Sequence, residues 1–171
     1  INMLNRRILR IKAFKELYAS VLSGNSSLAH AESQLDVSCE ATRDLYVYML
    51  SIVSPLTKIA REKIEAAKAK FNPTEQELNP NMKFADNALA VLLDADMDFQ
   101  KILAKKKFSW LQYDLFLKKV FASVASKDYY AEYMASPVVS LAEDCRLFTR
   151  IFEEEFVDSE DLEKILEDKS L

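Results

Sequence analysis

The sequence is short of glycine above all. It carries one, Gly24, among 171 residues, where average usage would give roughly 12. Strand-rich and α/β folds need glycine for hairpin turns and for loops that approach phosphates, so neither class fits. Cysteine and histidine are scarce too. Cys39 and Cys145 lie far apart with no C-x-x-C pair, and His30 is the sole histidine, which removes the usual disulfide frameworks and zinc ligand sets. Free thiols suit a reducing cytoplasm, and a cytoplasmic protein is expected. No apolar run approaches the roughly 20 residues that cross a bilayer. The longest, around "YVYMLSIVSPL", is broken by Pro55, and the N-terminus has no signal-like apolar block. A surplus of positive charge is also missing. The net charge of -4 and a pI near 5.2 confine any polyanion site to a local patch.

What is present is helical periodicity. Leu4, Ile8, Ile11, Phe14, Leu17, Tyr18 and Val21 recur at spacings of three and four, which predicts a first helix with one broad apolar face. It ends before "SGNSS", where Gly24 can take the left-handed conformation that closes a helix and Ser26 or Ser27 can cap the next. A second helical region is expected over 28–71, kinked or split at Pro55, with strong helix formers in "KIAREKIEAAKAK" and opposite charges at Lys58 and Glu62. In "FNPTEQELNPNMK", Pro73 and Pro80 disfavour helix at Asn72 and Asn79. The chain therefore divides into 1–71, an exposed connector over 72–82, and 83–171. Further helices are expected near 83–93, 97–107 and 110–125, the last capped by Ser109. "DYYAEYMAS" ends at Ser136-Pro137, Ser140 opens "LAEDCRLFTRIFEEEF", and Ser159 opens a final helix with Leu162, Ile165 and Leu166. The length allows one domain or two small ones, with roughly 70% of the unfolded surface buried. The fold class is all-α, a multi-helix bundle.

Few motifs carry chemistry. Asp94, Asp96 and Asp98 resemble the start of a calcium loop, but position six is Phe99 rather than glycine and position twelve is Lys105 rather than glutamate. A turn between helices is the better reading. His30 lacks a nucleophile pattern and suits an exposed or capping place in the first turn of the second helix. Glu153, Glu154 and Glu155 have no Glu-x-x-His pair to complete a di-iron site and read as a solvated acidic face. Asn25-Ser26-Ser27 matches a glycosylation acceptor only in form. Tyr129, Tyr130 and Tyr133 suit either a strip that stacks bases or core packing, with packing favoured. No metal, cofactor or catalytic residue is expected.

The arginines stand apart. In "NRRILRIKAFKELYA", Arg6 and Arg10 are four apart and Arg7 and Arg10 three apart, so three guanidiniums gather at a helix N-terminus. That end already bears partial positive charge, and a phosphate partner would compensate the repulsion. A solubilising or ion-paired terminus is the alternative.

The same stretch resembles the opening helix of the NusB family of transcription antitermination factors, in which Arg-Arg, two residues, Arg, two residues, Ala, three residues and Leu-Tyr follow in order. Arg6, Arg7, Arg10, Ala13, Leu17 and Tyr18 fill that pattern. "CEATRDLYVYML", "KFNPTEQELNPN", "FSWLQYDLFLKK" and "YYAEYMAS" are similar to the extended NusB proteins of Bacteroidetes, so the resemblance covers nearly the whole chain. It implies an all-helical, non-catalytic protein that binds the boxA element of nascent ribosomal RNA with the ribosomal protein NusE, in a complex that keeps RNA polymerase from terminating. Arg6, Arg7 and Arg10 would then match the RNA-binding start, and Tyr18 a tyrosine beside the RNA. The chain departs from the pattern at Leu9 and Ile11, where the family often has a small and an acidic residue. It stops at "EDKSL", where extended relatives continue, and is expected to be an N-terminal portion. The rival reading is a helical protein-interaction scaffold with arginines in an interface.

Overall fold

The computed structural model describes residues 4–24 and 27–171 and is all-helical, with no strand among them. Helix α1 (Arg6–Leu22) is capped by Asn5, whose Oδ1 accepts from the Ile8 amide at 2.9 Å. Gly24 closes the hairpin at φ 67°, in the left-handed region that its missing Cβ allows. Helix α2 (Leu28–Leu50) starts at Ser27, whose hydroxyl accepts from the His30 amide, and His30 itself is exposed. Ser26 and Asn25, the other cap candidate and the formal glycosylation acceptor, lie outside the described residues. The long helical region splits as proline chemistry requires. α2 stops at Ser51, and α3 (Val53–Lys68) has Pro55 in its first turn, where its missing amide and its ring disturb nothing. Lys58 turns to Asp94 at 3.8 Å rather than pairing with Glu62.

The connector holds more order than its prolines suggest. A one-turn helix, α4 (Glu75–Leu78), forms inside it because Thr74 and Glu77 make a reciprocal capping box. Lys70 and the Thr74 amide together hold the Glu77 carboxyl down to about 2. The expected 83–93 helix starts late, as α5 (Ala88–Ala95), because the buried Asn87 side chain accepts from the Leu89 and Ala90 amides and sets the first turn there. Asp96 does the same for α6 (Met97–Lys106), taking the Asp98 and Phe99 amides. The aspartate triplet is thus a turn between helices. The 110–125 helix is corrected as well: Ser109 accepts from the Leu111 amide at the head of a 3-10 turn (Leu111–Tyr113), and α7 (Asp114–Ala125) follows it. Then come α8 (Asp128–Ala135), α9 (Leu141–Ile151) capped by Ser140, a π turn (Phe152–Phe156), and α10 (Glu160–Lys169) capped by Ser159.

One core draws residues from both sides of the connector. Phe84 packs at 5.4–5.7 Å against Phe121, Tyr130 and Phe148, while Tyr48 stacks on Trp110 at 4.4 Å. Tyr133 is buried and Tyr129 and Tyr130 are half-buried against this core, so the tyrosine strip is packing. A polar network joins α5, α8 and α9. Asp144, 3% exposed, accepts from the Tyr133 hydroxyl at 2.6 Å and the Ala88 amide at 2.7 Å. Lys83 donates to the Tyr133 and Ser136 carbonyls and to Glu143. Of the glutamate run, Glu153 and Glu154 are exposed, whereas Glu155 is half-buried beside Tyr129 and Lys127.

Two stability tests arise here. The Tyr48 hydroxyl is fully buried yet finds no hydrogen-bond partner among the described residues. Burial pushes its pKa up, with Tyr113 adding to the effect. Tyr48→Phe removes an unmet polar group and should leave stability unchanged or raise it by about 1 kcal/mol. Urea unfolding reads this, and a loss larger than about 1 kcal/mol would mean that the hydroxyl is satisfied in solution. Limited chymotrypsin digestion should cut first after Phe71, which precedes the single turn of α4, or Leu78, which ends it, both exposed. Early cleavage within 114–125 instead would place the weak point in the bundle.

Candidate nucleic-acid interface

Helix α1 packs on α2 and contributes no buried residue. Its sides are assigned against the usual rule. Leu9, Lys12, Ala13, Glu16 and Ser20 are half-buried on the side toward α2, and the Lys12 ammonium fixes the pair by donating to the Ser38 carbonyl at 2.9 Å and hydroxyl at 2.7 Å. The apolar stripe read from the spacing points outward: Phe14 is 68% exposed, Tyr18 58% and Val21 78%. Periodicity marks an apolar face; it does not supply the element that covers it.

All four sequence-derived site residues share that outward side. With 3.6 residues per turn, Arg6, Arg10, Arg7 and Tyr18 fall within roughly 120° of the helix circumference, together with Leu17, Phe14 and Val21. Arg6, Arg7 and Arg10 are exposed. No carboxylate lies in the first turn, and no ion pair among the described residues involves the three guanidiniums. Their charge adds to the positive end of the helix without internal compensation. The ion-paired alternative for these arginines finds no support.

Phe14 is the residue that sequence reasoning missed. Its ring lies 6.3 Å from that of Tyr18 with 15° between the planes, so a two-ring aromatic strip continues the arginine cluster along one side. The i, i+4 spacing of Phe14 and Tyr18 was the available signal, and it was absorbed into the apolar stripe. The Leu9 and Ile11 departures divide between faces: Leu9 lies toward α2, and Ile11 adds apolar surface beside Arg7 and Arg10.

Comparisons with protein-family models, curated proteins and solved structures found no match to this chain. Among the described residues no group of three or more histidine, cysteine, aspartate or glutamate side chains is placed to hold a metal ion, and both thiols are free. No helix of the described residues is long and apolar enough to cross a membrane.

Proposed function

We propose that this chain is an RNA-binding module of a NusB-like antitermination factor, acting on boxA-type ribosomal RNA in the cytoplasm with NusE and the RNA polymerase antitermination complex. The observation that carries this reading is the joint exposure, on one side of α1, of three guanidiniums without carboxylate partners and the Phe14–Tyr18 pair. Guanidinium forks bond phosphate oxygens bidentately, and flat aromatic faces accept unstacked bases of single-stranded RNA. The reading assigns no catalytic step to the protein. A second reading is a protein-docking scaffold, favoured by the exposed Leu17, Val21 and Leu22 on the same helix.

Fluorescence anisotropy with labelled single-stranded RNA, boxA-bearing and scrambled, distinguishes the two. Contacts from the three guanidiniums imply a slope of log affinity against log salt of about -2, so affinity falls about 15-fold between 50 and 200 mM salt. Phe14→Ala and Tyr18→Ala should each weaken binding by about 1–3 kcal/mol with little change of slope. If both aromatic variants bind RNA like the parent, no base stacks on the strip; if the parent itself binds no RNA, with or without NusE, the scaffold reading stands. The measurement is made with the chain alone and with NusE present.

A further inference from the structure

A separate site lies beneath the connector. A cavity of about 490 Å³ opens between α3, α4 and the α7–α8 region. Its floor is apolar: Phe84 and Phe121 are buried, Ala60 and Ala85 are buried, and the Tyr130 ring meets Phe84 edge-on at 5.4 Å. Its volume lies within the range of small-molecule sites, which combine apolar walls with a few converging polar groups.

The polar groups around it sort cleanly. Thr74 Oγ1 accepts from the Glu77 amide, and the Glu77 carboxylate is held by Lys70 and the Thr74 amide. The Asn81 amide donates to the Met134 carbonyl at 2.7 Å, while its Oδ1 accepts from the Lys83 amide at 3.0 Å. Besides the exposed Gln76 carboxamide on the outer wall, two groups beside the aromatic floor remain without an acceptor among the described residues. The Lys63 ammonium sits 4.8 Å from the centroid of the Phe121 ring and pairs with no carboxylate, and the Tyr130 hydroxyl makes no hydrogen bond. Burial pushes that hydroxyl up to about 12, so it remains a donor at neutral pH.

One ammonium and one phenol at an aromatic-floored cavity call for a ligand with a single anionic head and an apolar body. We infer that the cavity under the connector binds an amphipathic monocarboxylate, its carboxylate held by Lys63 and Tyr130 and its apolar body lying on Phe84 and Phe121. Thr74, Gln76 and Pro80 form the outer wall, so an occupied cavity ties the connector to the bundle. This site is independent of the arginine face of α1.

Titration calorimetry with decanoate, below its micelle-forming concentration, tests the assignment, with decanol and decyltrimethylammonium as neutral and cationic probes of equal tail. Decanoate should bind saturably with one-to-one stoichiometry, and the other two at least about tenfold more weakly. Lys63→Gln should weaken decanoate about tenfold and leave decanol unchanged, since the charged hydrogen bond alone is lost. Tyr130→Phe should weaken decanoate less. Circular dichroism establishes that both variants are folded, and bound decanoate should slow chymotrypsin cleavage after Phe71 and Leu78. The assignment is overturned by absence of saturable decanoate binding, by equal binding of the cationic probe, or by indifference to Lys63→Gln. Loss of decanoate binding in the Arg6→Ala, Arg7→Ala, Arg10→Ala triple variant but not in Lys63→Gln would move the anion to α1 and refute it equally.

Discussion

Replacing Arg6, Arg7 and Arg10 together by alanine is expected to flatten the salt dependence of RNA binding and to abolish most affinity at low salt. Each guanidinium that neutralises a phosphate of single-stranded RNA releases roughly 0.7 of a counterion, so the three account for a slope of about -2. Removing them takes the slope towards zero. At 50 mM salt, where electrostatics contribute most, the variant should bind at least about tenfold more weakly than the parent. Folding should survive, because all three side chains are exposed, α1 contributes no buried residue, and the Asn5 cap and the Lys12 contact to Ser38 are untouched. Removing three cations from a helix N-terminus should even stabilise α1 by a few tenths of a kcal/mol for each. Unchanged RNA affinity across the salt range would show that α1 does not carry the interface, and the scaffold reading would replace the RNA reading.

The largest effect on stability is expected at Phe84. Its side chain is 1% exposed and touches three aromatic rings from α7, α8 and α9, although it stands in a turn before α5. Phe84→Ala should cost about 3–5 kcal/mol, through lost transfer energy and the cavity left among rings that cannot collapse into it. For a chain of this size that corresponds to a fall in Tm on the order of 10 °C. Thermal unfolding followed by circular dichroism reads it directly. A loss under about 1 kcal/mol would mean that Phe84 does not anchor the segment after the connector, and the single shared core would then divide there. The variant also empties part of the floor of the cavity beneath the connector, so decanoate binding should weaken with it.

Local chemistry in the sequence determined a good deal by itself. The near absence of glycine and the three-four spacing of apolar residues specify an all-helical chain, because both act within a few residues of each other. The caps at Ser27, Ser140 and Ser159, the left-handed Gly24 and the break before Pro55 are local in the same way: each concerns backbone groups one turn away. The arginine cluster was equally legible, since i, i+3 and i, i+4 neighbours are fixed by helix geometry.

Tertiary structure decided the rest. Which side of α1 is covered depends on where α2 lies, and α2 takes the side bearing Leu9, Lys12 and Glu16, so that Phe14 joins Tyr18 and the arginines in the open. The late start of α5 follows from Asn87 being buried where its carbonyl oxygen can cap, in a network completed by Tyr133 and Asp144 from distant helices. The cavity over Phe84 and Phe121 exists only because the connector folds back across α3, α7 and α8, bringing Lys63 and Tyr130 to one opening. Spacing along the chain gives no measure of such distances. They are set by packing between elements, where the same apolar pattern serves either a covered core or an exposed face.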